Sequence, residues 1–414
     1  MVSLSRLSNG LTVIVHHMPI DVAAIYVFYN VGAKNEYPGI FGGSHLVEHM
    51  LFRKIEGLRG SVDELVEGVG GYFNGFTNYD YTVYVEVLPA EYAELGFEIE
   101  SKRMTNAVFD PSEFELERKI VLSEFDMNEN DPDFRLVYRA SMIAWDVHPY
   151  RYAVAGLRSD LNRVSRDELF RYYRRYYNPG NAVLVVVGGL GEDKAVELAN
   201  KYFGSIEPGG ESGVIKPWDD GLQGRVRVEL KALSGETPRL LIAFKVPGAH
   251  DIDGLRKTIL ADFIISGDRA FTYGLTSREP MVVPRSSRLY RLVEEGLGDA
   301  VYSYYEVTYM NNLYSIIIYN VKDPDRAIMR VEELIAERPS EDELGFARER
   351  IMARLVFSTD SPSKLAQIYG LSQLFMGDPG RLISVIEDAT KSDTSEYIDF
   401  VNNLLNRSIS ILYR

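Results

Sequence analysis

The second half of the chain repeats the pattern of the first half, and this repeat restricts the possible fold more than any other sequence feature. Residues 389–413 (ATKSDTSEYIDFVNNLLNRSISILY) follow the order of residues 164–187 (VSRDELFRYYRRYYNPGNAVLVVV): a capped helix, a polar turn and an apolar strand. Residues 238–266 similarly resemble residues 23–51, an apolar strand followed by a helix. Self-similarity of this kind predicts a duplicated structural unit.

The length of the chain agrees with two domains. Its 414 residues exceed the roughly 100–200 residues that one domain typically has. Residues 207–222 are rich in glycine and proline, which is typical of a linker. We therefore predict one half at residues 1–210 and a homologous second half at residues 223–414.

Hydrophobic periodicity and end signals predict the elements of the first half. The opening segment, 10–31, reads as two strands, and 72–87 reads as a long strand or a hairpin with its bend near 78–80. A short helix is predicted at 61–67, with Ser61 as its N-cap and Glu64 as the capping-box partner. Further helices are predicted at 42–54, 89–105, 111–128, 132–144, 165–177 and 193–203, and a buried strand at 182–187.

Composition excludes several classes of function. The net charge of −15 makes nucleic acid an unlikely partner, because an acidic surface repels phosphate groups. The chain has no cysteine, so any metal must be held by His, Asp or Glu. The first residues lack a signal-peptide pattern, and no apolar run approaches the ~20 residues that cross a bilayer. We therefore expect no membrane association and a cytoplasmic location.

Two of the six histidines fall in one short motif, His45-Leu46-Val47-Glu48-His49, within GGSHLVEHMLF. On a helix, positions i and i+4 lie on the same face, so both imidazoles can reach one metal ion while Glu48 lies beside them. This pattern is typical of a zinc site in which the carboxylate takes a proton from an attacking water and gives it to the leaving amine.

Zinc requires a third protein ligand, which the motif does not supply. Glu117 and Glu124, in FELERKIVLSEFDMNEND, are seven residues apart and therefore two turns apart on one face of a predicted helix. Either of them can serve as the ligand, and spacing alone does not choose between them.

The sequence resembles the pitrilysin/insulinase family of zinc peptidases, which carry this inverted motif. The similarity covers nearly the whole chain and includes LSNGLTVIV, GGSHLVEHMLF, GGYFNGFT, ELERKIVLSEF and YYNPGNAVLVVVGG. The resemblance implies that His45, His49 and Glu124 hold zinc, because the family glutamate lies about 75 residues after the second histidine. It also implies that Glu48 is the general base and that Glu117 supports the metal ligands.

The resemblance further implies a peptide-binding strand. In similar peptidases the strand after the double glycine lies beside the metal helix, and its asparagine, here Asn74, contacts substrate that is added to the sheet edge. Main-chain hydrogen bonds of this kind hold any extended peptide, so we expect broad specificity. The two halves are expected to enclose a chamber, which favours small or unfolded peptides. A turn-shaping role for Asn74 stays open.

One segment departs from the family pattern. Members that are complete in one chain carry an arginine, followed seven positions later by a tyrosine, in the second half. The matching positions here hold Leu292 and Asp299, and neither side chain can stabilise an oxyanion.

Related two-subunit enzymes divide such features between two chains. The chain is similar to the metal-bearing subunit of a processing peptidase, and we expect a homologous second subunit or a homodimer.

These inferences lead to one prediction and one alternative. We predict two duplicated α+β units, each a mainly antiparallel sheet with helices packed on one face, and a zinc metalloendopeptidase or oligopeptidase activity. The alternative is a weakly active or non-catalytic peptide-binding subunit of a heterodimeric peptidase. Imidazole and carboxylate ligands also accept Mn or Co, so the identity of the native metal stays open.

Overall fold

The β-rich runs of the sequence form two separate sheets, and the amphipathic segments form helices against them. A computed structural model describes residues 2–209, 222, 224–232, 235–267, 271–272 and 281–414. Residues 210–221 of the predicted linker lie outside the described residues.

The first 209 residues contain six strands and eight helices in the part that the structure describes. They are β1 (Val2–Arg6), β2 (Thr12–His17), β3 (Val22–Tyr29), α1 (Gly43–Met50), α2 (Val62–Glu67), β4 (Tyr72–Thr77), β5 (Thr82–Pro89), α3 (Ala93–Thr105), α4 (Pro111–Asn130), α5 (Pro132–Ala144), α6 (Arg158–Leu161), α7 (Arg166–Tyr176), β6 (Ala182–Gly188) and α8 (Glu192–Phe203). Short 3₁₀ turns occur at Ala33–Asn35, Ala90–Tyr92, Pro149–Arg151 and Pro179–Asn181.

The described residues of the second half follow a similar order. They form β7 (Arg225–Leu230), β8 (Arg239–Val246), α9 (Ile252–Ile265), β9 (Phe271–Thr272), β10 (Met281–Val282), a 3₁₀ turn (Arg288–Tyr290), α10 (Arg291–Glu294), β11 (Ala300–Glu306), β12 (Asn312–Tyr319), α11 (Pro324–Ala336), α12 (Glu341–Ser358), α13 (Pro362–Met376), α14 (Arg381–Ala389), α15 (Thr394–Leu405) and β13 (Ser408–Tyr413).

The topology of the two sheets confirms the duplication. The first sheet has the order β1-β2-β6-β3-β5-β4, and the second has β7-β13-β8-β12-β11-β10, with β9 paired to β11. In the first sheet β2 and β6 are parallel, in the second β7 and β13 are parallel, and in both the next three pairings are antiparallel. The second sheet has a further parallel pair, β9 with β11. The strands β2, β6, β3, β5 and β4 thus correspond to β7, β13, β8, β12 and β11.

The contacts divide the chain into two compact units. Unit one contains the described residues of 1–128, 152–216 and 358–382, and unit two those of 129–151, 217–357 and 383–414. The predicted halves, 1–210 and 223–414, differ from these units in two segments. Helix α5 belongs to unit two, where it packs on β13, β12 and β8, and helix α13 belongs to unit one, where it packs on β6 and β3.

Alternation along β3 explains how unit one accommodates helices on both faces of its sheet. The side chains of Ile25, Val27 and Tyr29 join the buried cluster that includes residues of α1, α3, α7 and α8. Phe28 points to the opposite face, where Gly370 of α13 lies so close that a Cβ atom there would be 2.1 Å from the Phe28 ring. The packing of α13 therefore requires glycine at this position.

Most predicted elements of the first half have the expected type, although several boundaries differ by a few residues. Helix α2 begins after Ser61, whose hydroxyl accepts the backbone N–H of Glu64, and the reciprocal bond completes the predicted capping box. Helix α1 ends at Met50, although the prediction extended it to residue 54. Beyond the helix, Ile55 forms a β-bridge with Ala107.

Candidate metal centre

Helix α1 presents both motif histidines on one face. Their ring centroids are 4.7 Å apart, and the rings are perpendicular. The helix begins after Gly42, which has a φ of 95°, and a Cβ there would lie 2.9 Å from the carbonyl oxygen of Ala155. Only glycine fits at the start of this helix, which explains Gly42.

Glu124 of α4 completes the group. Its Oε2 lies 3.7 Å from Nε2 of His45 and 3.7 Å from Nε2 of His49. Within the described ranges, these three residues form the one group of three or more His, Asp or Glu side chains whose ligand atoms all lie within 4.8 Å of one another. Two imidazole nitrogens and one carboxylate oxygen are a donor set that suits zinc with one coordination position left open.

Hydrogen bonds from one arginine and an ion pair with another hold α4 in this position. Arg118 donates hydrogen bonds to the carbonyl oxygens of Leu161, Asn162 and Val164. Asp126, two residues after Glu124, forms an ion pair with Arg158. The helix is therefore fixed on either side of the glutamate that faces the histidines.

Glu117 takes a different position from Glu124. Its side chain is only 2% exposed, and its Oε2 accepts a 2.9 Å hydrogen bond from Nδ1 of His49. Arg53 pairs with the other carboxylate oxygen. A histidine that donates from Nδ1 keeps its Nε2 lone pair available for a metal, so this bond orients the imidazole and fixes its tautomer.

Glu48 lies one residue before His49 and is nearly buried. The hydroxyl of Thr77, the last residue of β4, donates a 2.6 Å hydrogen bond to Oε2 of Glu48. Burial raises the pKa of Tyr84 and of Tyr177, and the nearby Glu48 carboxylate adds to both increases. The sequence analysis missed Thr77. The GGYFNGFT segment was recognised, but the pattern does not reveal which strand residue meets the helix.

Strand β4 is the last strand on its side of the first sheet, and it packs beside α1. Asn74, near its middle, donates from Nδ2 to the hydroxyl of Tyr72 at 2.8 Å and accepts the backbone N–H of Gly75. The described contacts of Asn74 thus lie within its own strand, and its role in binding substrate stays a prediction.

The two positions that depart from the family pattern lie in unit two. Leu292 is completely buried in α10. Asp299 accepts a hydrogen bond from Asn320 and forms an ion pair with Lys322 at 3.4 Å, and both contacts lower its pKa. An apolar side chain and an ion-paired carboxylate supply no donor for an oxyanion.

Comparison with known proteins adds independent information. The sequence profile described as insulinase, peptidase family M16, matches residues 11–156, and the profile described as the peptidase M16 inactive domain matches residues 163–349. The chain belongs to peptidase family M16. Together the two profiles match most of residues 11–349 of this M16 protein, and the histidine motif lies in the part matched by the insulinase profile.

Curated relatives of this M16 protein are named zinc proteases. One from Rickettsia felis is 23% identical over 98% of this chain and 95% of its own length. YmxG of Bacillus subtilis is 25% identical over 94% of this chain and 92% of its own length. PqqE of Helicobacter pylori is 29% identical over 51% of this chain and 49% of its own length.

Solved structures share the fold. A protease from Helicobacter pylori superposes with a TM-score of 0.89 and 21% identity, covering 100% of this chain and 99% of the other. A peptidase M16 inactive domain from Pseudomonas fluorescens gives a TM-score of 0.85 and 16% identity, covering 100% and 97%. None of the helices in the described part of the chain is long and apolar enough to span a bilayer. The cytoplasmic location stays a prediction.

Proposed function

We propose that this M16 protein is a zinc-dependent peptidase that hydrolyses small or unfolded peptides. The observation that carries the proposal is the approach of Glu124 Oε2 to within 3.7 Å of the Nε2 atoms of both His45 and His49. Three ligand atoms from two separate helices meet at one point. A shared metal ion would be coordinated by all three atoms at once, which is the arrangement that supports the proposal.

The donor set supports zinc as the metal. Zinc accepts imidazole nitrogen and carboxylate oxygen at about 2 Å and commonly keeps a fourth position open when it is catalytic. The curated relatives carry the name zinc protease. When bound, the ion would supply Lewis-acid chemistry, polarising a carbonyl group and lowering the pKa of water.

The chain's own residues would move the proton. Glu48 accepts a proton from the water that attacks the peptide carbonyl, and it then gives that proton to the nitrogen of the leaving amine. The Thr77 hydroxyl holds the Glu48 carboxylate in one orientation, and Glu117 holds the imidazole of His49. The Glu48 carboxylate and the His49 imidazole are therefore oriented before the substrate binds.

An extended peptide is the substrate class that the edge strand favours. Strand β4 ends the first sheet next to the metal helix, so a peptide can pair with its free edge through main-chain hydrogen bonds. Asn74 would contact that peptide. Pairing through the backbone recognises shape more than sequence, and we therefore propose a broad cleavage preference.

A second candidate function is a weakly active, peptide-binding subunit that requires a homologous partner. The burial of Leu292 and the ion pair of Asp299 favour it, because unit two lacks the donors expected at these positions. We propose to assay the purified chain alone and mixed with a metal-free homologous subunit. Activity only in the mixture would support a heterodimer, and activity of the chain alone would support a self-sufficient enzyme or homodimer.

The proposed activity is tested by metal analysis together with peptide digestion. The purified chain is expected to contain about one zinc per molecule, to cleave an unstructured peptide, to lose that activity with a chelator and to regain it when zinc is added. Cleavage that continues after complete removal of metal would contradict the proposal.

A further inference from the structure

The metal helix α1 is short, and a side chain from elsewhere in unit one contacts the backbone at each of its ends. It has eight residues, and its N-cap, Gly42, offers no side chain to accept the first backbone N–H groups. The first N–H and last C=O groups of any helix have no partner within the helix. Two buried ionisable side chains, Glu36 and Arg103, make these contacts in unit one, and the sequence analysis singled out neither.

Glu36 closes the N-terminal end of α1. Its Oε2 accepts the backbone N–H of Gly42 at 2.8 Å, and its Oε1 accepts that of Ser44 at 2.7 Å. The carboxyl group is buried, and the residue it holds, Ser44, directly precedes His45. Burial raises the pKa of Glu36 to about 8, although the two backbone donors act in the opposite direction.

Arg103 of α3 closes the other end. Its Nη1 donates a 3.2 Å hydrogen bond to the carbonyl oxygen of Leu51, the residue after the helix. The guanidinium is completely buried, lies 4.4 Å from the ring centroid of Tyr84, and pairs with Glu86 at 3.0 Å and Glu100 at 2.7 Å. A buried charge is costly unless such partners surround it.

The two contacts have the polarity that a helix favours. A carboxyl group lies at the end where backbone N–H groups point outward, and a cation lies at the end where carbonyl groups point outward. Both histidines lie between these contacts on one eight-residue helix, whereas Glu124 lies on a different helix. A small shift of α1 would therefore move both imidazoles relative to Glu124 at once.

We propose that Glu36 and Arg103 are positioning residues that fix α1 so that His45 and His49 face Glu124. This inference rests on the proposed function, because it assigns these residues a role in zinc affinity. Substitution of either residue weakens zinc binding more than the accompanying decrease in the stability of the protein explains. Residues outside the ligands commonly change metal affinity by about 10–100-fold when they orient the ligands.

The test compares zinc affinity with thermal stability in matched variants. Glu36→Gln and Arg103→Lys are measured beside two controls in unit two, one at an exposed helix-capping carboxylate and one at a buried arginine. Asp251→Asn removes the carboxylate that caps α9, and Arg288→Lys alters a buried arginine that donates to the carbonyl groups of Leu334 and Glu337. Competition with a chromogenic chelator gives the zinc dissociation constant, and calorimetry of the zinc-free protein gives Tm.

The expected result is about tenfold weaker zinc binding in Glu36→Gln and Arg103→Lys, with wild-type affinity in both controls even where their Tm falls. Wild-type zinc affinity in Glu36→Gln and Arg103→Lys would overturn the inference and leave the proposed function intact. Absence of zinc binding in the wild-type protein would overturn both. Should Arg103→Lys fail to fold, the comparison of Glu36→Gln with Asp251→Asn decides the result.

Discussion

The hydroxyl of Thr77 lies 2.6 Å from Oε2 of Glu48 and joins the end of the edge strand β4 to the metal helix α1. This hydrogen bond connects the strand on which a peptide is proposed to pair with the carboxylate that is proposed to move the proton. It therefore relates substrate binding and chemistry within one unit of the fold.

Removal of this hydroxyl is predicted to slow catalysis without affecting the metal. Thr77→Val keeps the shape of the side chain but cannot donate to Glu48, so the carboxylate loses its fixed orientation. We expect kcat to fall about tenfold, which corresponds to about 1.4 kcal/mol, with zinc content unchanged. Steady-state kinetics measures this, and Thr77→Ser, which retains the hydroxyl, is expected to keep most of the activity. Equal rates for Thr77→Val and wild type would exclude the orienting role.

Glu48 itself is predicted to be essential for turnover and dispensable for the metal. Glu48→Gln keeps the size of the side chain but cannot take a proton from water. We expect peptide cleavage to be abolished while bound zinc stays near one per chain, measured by a digestion assay and elemental analysis of the same sample. Unchanged turnover would remove Glu48 from the mechanism.

Loss of the charge on Glu117 is predicted to weaken zinc binding. Glu117→Gln replaces the carboxylate that accepts the bond from His49 Nδ1 and pairs with Arg53, so the imidazole becomes a poorer ligand. We expect the zinc dissociation constant to rise about tenfold in a chelator competition. The control is Glu115→Gln, an exposed carboxylate on the same helix. An equal rise in the zinc dissociation constant of both variants would show that the loss of a negative charge from α4, and not the contact with His49, causes the change.

Asp133 provides a prediction about pH. Burial raises its pKa from 3.8 to about 6, with Asp131 adding to the increase and Arg239 opposing it. The folded state binds the Asp133 proton more tightly than the unfolded state, so protonation of Asp133 stabilises the fold. This stabilisation is complete below pH 3.8 and is lost as the pH rises through about 6. We expect the loss to be at most about 3 kcal/mol.

The measurement is chemical denaturation between pH 4 and pH 7. Asp133→Asn, which does not titrate, is expected to reduce the fall in unfolding free energy over this range. Asp325→Asn, at an exposed carboxylate, is the control and is expected to keep the wild-type slope. A wild-type slope in Asp133→Asn would show that another group is responsible.

The sequence predicted the local structure well where the signal lies within a few residues. Helix α2 has the expected Ser61 cap, and helical spacing brings His45 and His49 to one face. The spacing of Glu117 and Glu124 left two candidates for the third ligand. The structure separates them, with Glu124 facing both Nε2 atoms and Glu117 bonded to Nδ1 of His49.

Features that depend on packing between distant segments were not predictable from the pattern. The amphipathic sequences of α5 and α13 do not reveal that each helix packs on the sheet formed mainly by the other half of the chain. Glu36 and Arg103 likewise read as ordinary charged residues, because their partners are backbone atoms of α1 that only the fold brings near.

Zinc content of a Glu124 variant tests the central claim most directly. Glu124→Ala and Ser123→Ala, an exposed neighbour on the same helix, are purified in parallel, loaded with zinc, dialysed and measured by elemental analysis against the wild type. We predict about one zinc per chain in the wild type and in Ser123→Ala, and far less in Glu124→Ala. Retention of one tightly bound zinc per chain by Glu124→Ala would contradict a site formed by His45, His49 and Glu124.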